Sequence, residues 1–136
     1  HTDEFSVGRI RNDLQESMEE NAKIFRSEET LSKQTEILEN LRERYENVTI
    51  FDKGKVFNTE LMEAIELDYL LDMSESTVAS ALARKESRGA HSRQDFPDRD
   101  DGNFMKHSFA FKNGNSANLR YKDVELGKYE PMERKY

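Results

Sequence analysis

Ala83-Arg-Lys-Glu-Ser-Arg-Gly-Ala-His-Ser-Arg-Gln-Asp-Phe-Pro-Asp-Arg-Asp-Asp101 is the stretch on which the reading of this chain turns. Its nineteen positions hold five basic residues, five acidic residues and His91. A solvated helix face spreads such charges at helical spacing. Here they continue past Gly89 and Pro97, where regular helix cannot run. Arg–carboxylate pairing is the means at hand to hold such a backbone, because guanidinium presents a rigid fork of donors that fits a carboxylate. The expected pairs join Arg88, Arg93 and Arg99 to Glu86, Asp95, Asp98, Asp100 or Asp101, and the rest of the chain reads as a scaffold for this loop.

Upstream lies the longest helical pattern, about Thr59 to Arg88, free of Gly and Pro. Leu61, Ile65, Leu67, Leu70, Leu71, Met73, Val78, Ala81 and Leu82 make it the most buried element expected. Acids crowd its first half, and Arg84, Lys85 and Arg88 its last turns, as the helix dipole favours. Gly89 fits the left-handed position just past its end. Ser74, Ser76, Ala79, Ser80 and Ala83 leave room for a close neighbour. Before it, Ser27 caps a helix over 27–46, with Glu28 and Glu29 in the first turn. Ile10, Leu14 and Met18 mark a helix over 9–21. Ile24 and Phe25 break that spacing and are expected to plug the core at a turn. Residues 47–51 read as a short strand or extended link, and 52–55 as a turn.

Downstream, alternation over 104–112, a turn at 113–116 and a return over 117–124 predict a β-hairpin. The tail 125–136, with Tyr129, Met132 and Tyr136, reads as a docked extension. Residues 1–8 read as a linker at the start of a fragment of a longer protein. The expected fold is mostly α, within one domain over 9–136. It is a three-helix antiparallel, spectrin-repeat-like bundle, then an ordered charged loop, then the C-terminal hairpin.

Composition narrows the function classes. Of 136 residues, 35% are hydrophobic and 36% charged, so the core is thin and the surface ionic. There is no Cys, which excludes disulfides, thiolate zinc sites and Cys nucleophiles. No run approaches the ~18 apolar residues of a membrane span, so direct membrane insertion is not expected. The net charge of -7 is uneven. Residues 1–80 hold nine basic and nineteen acidic groups, and residues 81–136 twelve and nine. Every basic cluster has carboxylates beside it, which argues against nucleic-acid binding.

His91, with Glu86, Asp95 and Asp98 near in sequence, could begin a general-base arrangement. No nucleophile accompanies it, so a structural histidine is the expectation. Asp98-Arg-Asp-Asp-Gly-Asn fails as a calcium loop: counted from Asp98, Gly102 falls at position 5 and Phe109 at position 12, where Gly at 6 and Glu at 12 are needed. His91 and His107 lack further metal ligands. Arg84, Arg88, Arg93 and Arg99 could bind a phosphate or dicarboxylate, but the matching acids favour internal pairing. No catalytic, cofactor-binding or metal residue is assigned. The structural and interface candidates are Arg84, Glu86, Arg88, Gly89, His91, Arg93, Asp95, Pro97, Arg99 and Asp100.

Three runs carry a family resemblance: Ala83-Arg-Lys-Glu-Ser-Arg-Gly-Ala-His91, Arg93-x-Asp95-x-Pro97-x-Arg99-Asp-Asp101 and Asn103-Phe-Met-Lys-His107. The chain resembles the C-terminal domain of the succinate dehydrogenase/fumarate reductase flavoprotein subunit. Arg11-x-x-Leu14-Gln15-x-x-Met18, Ile24-Phe25-Arg26-x-Glu28-Glu29, Phe57-Asn58-Thr59-x-Leu61 and Tyr129-x-Pro131-Met132-Glu133-Arg134-Lys135-Tyr136 extend the likeness over almost the whole chain. L-aspartate oxidase and adenylylsulfate reductase share the Glu-Ser-Arg core, but the hairpin and tail favour the dehydrogenase. A stand-alone helical adaptor is the remaining alternative.

The resemblance implies a parent oxidoreductase that oxidises succinate to fumarate on covalently bound FAD, in the tricarboxylic acid cycle. Electrons would pass to an iron-sulfur subunit and on to quinone, on the cytoplasmic side of a prokaryotic membrane. The family's FAD-binding and catalytic residues lie upstream and none maps here. The fragment alone is therefore expected to hold no cofactor and to catalyse nothing. Its expected partners are the FAD-binding domain of the same subunit and the iron-sulfur subunit.

Overall fold

A computed structural model of the chain describes residues 6–48, 58–113 and 116–127. Three long helices, α1 (Val7–Asn21), α2 (Glu28–Glu46) and α3 (Asn58–Ala83), form the bundle. A short α4 (Asp101–Phe104) follows. The strands are β1 (Phe25–Arg26), β2 (Ser92–Arg93), β3 (Lys106–Asn113) and β4 (Ser116–Asp123).

The helix starts are set by local chemistry. Ser6 caps α1, its Oγ accepting from the Arg9 amide at 3.2 Å. The helix therefore begins at Val7, inside the stretch expected to be linker, and Val7 packs on the core. Ser27 caps α2 as expected, in a capping box closed by the Thr30 hydroxyl instead of a Glu.

Ile10 and Leu14 of α1, Leu31, Leu38 and Leu41 of α2, and Leu67, Leu71, Val78 and Ala81 of α3 meet in one buried cluster. Each large side chain buried there contributes about 1.5–3 kcal/mol. Two polar features cross this core. Asn21 donates to Gln34 Oε1 at 2.9 Å, and Gln34 to Ser17 Oγ at 3.0 Å, joining α1 to α2. Arg42 of α2 reaches across to Asp68, Asp72 and Glu75 of α3 at 2.6, 2.7 and 3.1 Å.

Several expectations need correction. α3 ends at Ala83, not near Arg88. Nothing in Arg84-Lys85-Glu86 breaks a helix; instead Arg93 takes the carbonyls of Ala81 and Leu82, each at 3.0 Å. The basic residues 84, 85 and 88 thus lie beyond the helix. Gly89 has the left-handed φ expected of it, +59°, but in a two-residue turn: Arg88 and His91 exchange backbone hydrogen bonds of 2.8 and 3.0 Å around it. Ile24 and Phe25 do not plug the core. They are 58% and 69% exposed: Ile24 lies in the bend after α1, and Phe25 is on the outward face of β1, which pairs parallel to β2. On α3, Leu61, Met62, Ile65, Tyr69 and Met73 are exposed, opposite the buried Ala64, Leu67 and Leu71.

The hairpin forms with strands shifted by one or two residues, Lys106 pairing with Asp123 and Asn113 with Ser116. α4 takes 101–104. β3 sets Ser108 and Ala110 inward, with Phe109 and Phe111 out at 45% and 51% exposure. Of the link expected over 47–51, residues 49–51 lie outside the described residues, as do the turn at 52–55, the loop 114–115 and the tail from 128.

Candidate functional site

The charged loop folds into a network of buried ion pairs that joins the ends of two helices. Arg93 is its centre, and its side chain is fully buried. Its Nε and Nη2 donate to Asp95 Oδ1 and Oδ2 at 2.9 and 2.8 Å, a bidentate fork. Its Nη1 donates to the Ala81 and Leu82 carbonyls at the C-terminus of α3. Asp95 Oδ2 also accepts from the Glu28 amide in the first turn of α2, at 3.0 Å. The cation therefore sits on the negative end of one helix dipole and the anion on the positive end of another, which is the favourable sense at both. Its bond to Arg93, the larger effect, and to the Glu28 amide hold the Asp95 carboxyl far below the usual carboxylate range, against the opposing pull of burial.

A second buried group organises the other half. Glu86 is fully buried. It accepts from Arg84 Nη1 at 2.6 Å, from Arg88 Nε and Nη2 at 3.0 Å each, and from the Asp100 amide at 2.9 Å. Burial raises its pKa, but the bonds from Arg88, Asp100 and Arg84 outweigh that, and the net shift is downward. Arg84 also donates to the Phe104 and Lys106 carbonyls and to Ser108 Oγ, tying the loop to the hairpin. Arg88 reaches Asp101 at 2.6 Å, and Arg99 meets the same carboxylate at 2.9 Å. Asp100 caps α4 through Asn103. Asp98 enters through its backbone, its carbonyl accepting from the Ser87 amide at 3.1 Å. Pro97 is exposed on the connecting bend.

His91 stands apart from the carboxylates that flank it in sequence. Its Nδ1 faces Arg26 Nη1 at 3.0 Å and its Nε2 faces the Arg84 carbonyl at 3.1 Å. A guanidinium can only donate, so Nδ1 is the acceptor and Nε2 carries the proton. Burial, together with Arg26, Arg93 and Arg84, lowers its pKa against the bond to the Arg84 carbonyl. It is a neutral link between cations, and no carboxylate orients it as a base. The sequence reading missed Arg26 in this role, although Ile24-Phe25-Arg26 stood among the runs carrying the resemblance. Among the described residues, no group of three or more His, Cys, Asp or Glu side chains is placed to hold a metal ion.

Residues 11–136 match the family described as fumarate reductase flavoprotein C-term. A fumarate reductase flavoprotein subunit from Haemophilus influenzae is 40% identical over 132 residues, covering 96% of this chain and 22% of that protein. A succinate dehydrogenase flavoprotein subunit from Rickettsia felis is 42% identical over 121 residues, covering 88% and 20%. Among solved structures, an E. coli quinol fumarate reductase mutant superposes with a TM-score of 0.87 at 40% identity, over 94% of this chain and 22% of that one. A Mycobacterium smegmatis Sdh1 structure with UQ1 gives 0.74 at 28% identity, over 89% and 21%. The chain thus spans about a fifth of the length of the relatives it matches.

Proposed function

Because the chain belongs to the fumarate reductase flavoprotein C-terminal family, we propose that it is the C-terminal structural and interaction domain of a flavoprotein subunit that interconverts succinate and fumarate. In that reading FAD is held by the rest of the subunit, and an iron-sulfur subunit exchanges electrons with it. The complex sits on the cytoplasmic face of a prokaryotic membrane through other partners. No helix among the described residues here is long and apolar enough to cross a membrane.

One observation supports the structural role above others: Arg93 and Glu86, the two fully buried ions of the loop, are saturated by partners within this chain. A ligand-binding arginine needs donors free to face solvent or substrate. These donors are committed to Asp95, Glu86 and helix-end carbonyls. The loop acts as a clamp, fixing the end of α3, the start of α2 and the hairpin in one arrangement.

The competing reading gives the loop a catalytic role in trans, with Arg88, His91 or Arg93 reaching the flavin or substrate of the assembled subunit. Arg88→Ala and His91→Ala in the full-length subunit separate the two. The structural reading expects reduced yield and thermal stability, with kcat per bound flavin unchanged. Loss of turnover with flavin content and assembly intact would sink it.

A further inference from the structure

Among the described residues, Arg26 is the arginine that is partly buried and yet lacks a carboxylate partner. Arg84, Arg88, Arg93 and Arg99 each have a carboxylate partner. The half-buried Arg26 has none within ion-pair distance among the described residues. Its Nε donates to the Lys23 carbonyl at 2.6 Å and its Nη1 to His91 Nδ1 at 3.0 Å. Both acceptors are neutral, and Arg84 and Arg93 lie beyond them. A partly desolvated cation without a counter-charge is unfavourable unless something outside the fold supplies one.

The surroundings of Arg26 point the same way. Ile24 and Phe25, immediately before it, are 58% and 69% exposed. They do not sit on a loose tip: β1 is paired to β2, and the Arg26 carbonyl accepts from the Gln94 amide at 2.6 Å. A rigid, exposed aromatic beside an uncompensated arginine is the composition of an interface hot spot. Beside Arg26 an open cleft of about 520 Å³ runs between α3 and β3. Its α3 wall is built of Ser76, Ser80 and Ala81, small enough for close approach by another backbone, and Lys106 and His107 add basic groups on the far side.

The size of the relatives supplies the occupant. This chain covers 22% of the matched chain of the E. coli quinol fumarate reductase mutant, so most of such a subunit lies outside it. We propose that Phe25, Arg26 and the adjoining cleft are the anchor on which the remainder of the same subunit seats, through a surface presenting a carboxylate flanked by apolar side chains. This inference rests on the reading that the chain is one domain of a longer flavoprotein subunit.

The test uses the full-length, flavin-loaded subunit with p-benzoylphenylalanine in place of Phe25. After irradiation and mass spectrometry, the cross-link is expected on a peptide outside residues 1–136 that contains Asp or Glu beside apolar residues. Arg26→Glu in the same background is expected to lower cross-link yield about tenfold, while Arg26→Lys retains most of it. Arg26→Gln, milder than the charge reversal, gives the same direction should Arg26→Glu fail to assemble. Cross-linking confined to residues 1–136 (the tail from 128 included), to another subunit, or to nothing overturns the inference while leaving the domain reading in place. A wild-type full-length chain that binds no flavin overturns both.

Discussion

Arg93→Met is the sharpest perturbation of the clamp. The side chain is fully buried, and methionine roughly matches its stem without the guanidinium. The substitution strips Asp95 of its bidentate partner and leaves the Ala81 and Leu82 carbonyls without their donor. Breaking a buried pair costs about 3–5 kcal/mol. Asp95 keeps 31% exposure and the Glu28 amide, which places its share at the low end. The link to Glu28, 60% exposed, adds little. The orphaned carbonyls bring about 1–3 kcal/mol each when they stay dry. With each contribution at its low end the total is about 5 kcal/mol, comparable with the ~5–15 kcal/mol typical of a whole domain.

Urea unfolding of the 136-residue chain, followed by circular dichroism, should show the midpoint falling by about 2 M at an ordinary m-value. Arg93→Lys should recover about half, because an ammonium keeps the charge but not the fork. A midpoint for Arg93→Met equivalent to less than about 1 kcal/mol of loss, at unchanged m, would refute the clamp. Acid adds a second arm. Asp95 and Glu86 are held low in the folded state. Their stabilisation is therefore complete above the ordinary carboxylate range of about 3.9–4.3 and disappears as pH falls through their folded values. Arg93→Met should make that acid-side slope shallower.

His91 has its folded pKa depressed, so the unfolded chain takes up its proton first as pH falls. Stability is thus full above about 6.5 and declines below it, and His91→Gln should flatten the profile between about pH 5 and 7 in the same urea assay. Gly89, at φ +59° with open space where a Cβ would stand, should tolerate Ala at a loss of about 1–2 kcal/mol, from backbone strain alone. A loss above about 4 kcal/mol there would point to a steric contact the geometry lacks. Arg42→Met removes the link from α2 to Asp68, Asp72 and Glu75 and should lose about 3 kcal/mol. Since Lys112 still meets Asp72 at 2.9 Å, Lys112→Met combined with it should lose more than the sum of the two singles.

The helices were legible because their signals are local. Ser27 caps α2, and Ile10, Leu14, Leu31, Leu38, Leu67 and Leu71 recur at the period of a helix face. The same period could not distinguish the covered side of α3 from the side carrying Leu61, Ile65, Tyr69 and Met73, since apolar residues occupy both. The pairing of the charged loop was legible in kind, from equal numbers of basic and acidic residues. Its partners were not: Glu28 lies 65 residues from Arg93, and Arg26 the same distance from His91.

The sequence by itself determined the helix pattern, the hairpin, the ionic character of the loop and, through its Arg-Lys-Glu-Ser-Arg-Gly-Ala-His run, the family. Only the tertiary structure decided where α3 stops, which way Ile24 and Phe25 face, and that the partly buried Arg26 meets no carboxylate among the described residues. Each of these depends on a contact between distant segments. Arg93 can end α3 only once β2 has been brought beside β1, and that pairing has no local signature in either two-residue strand.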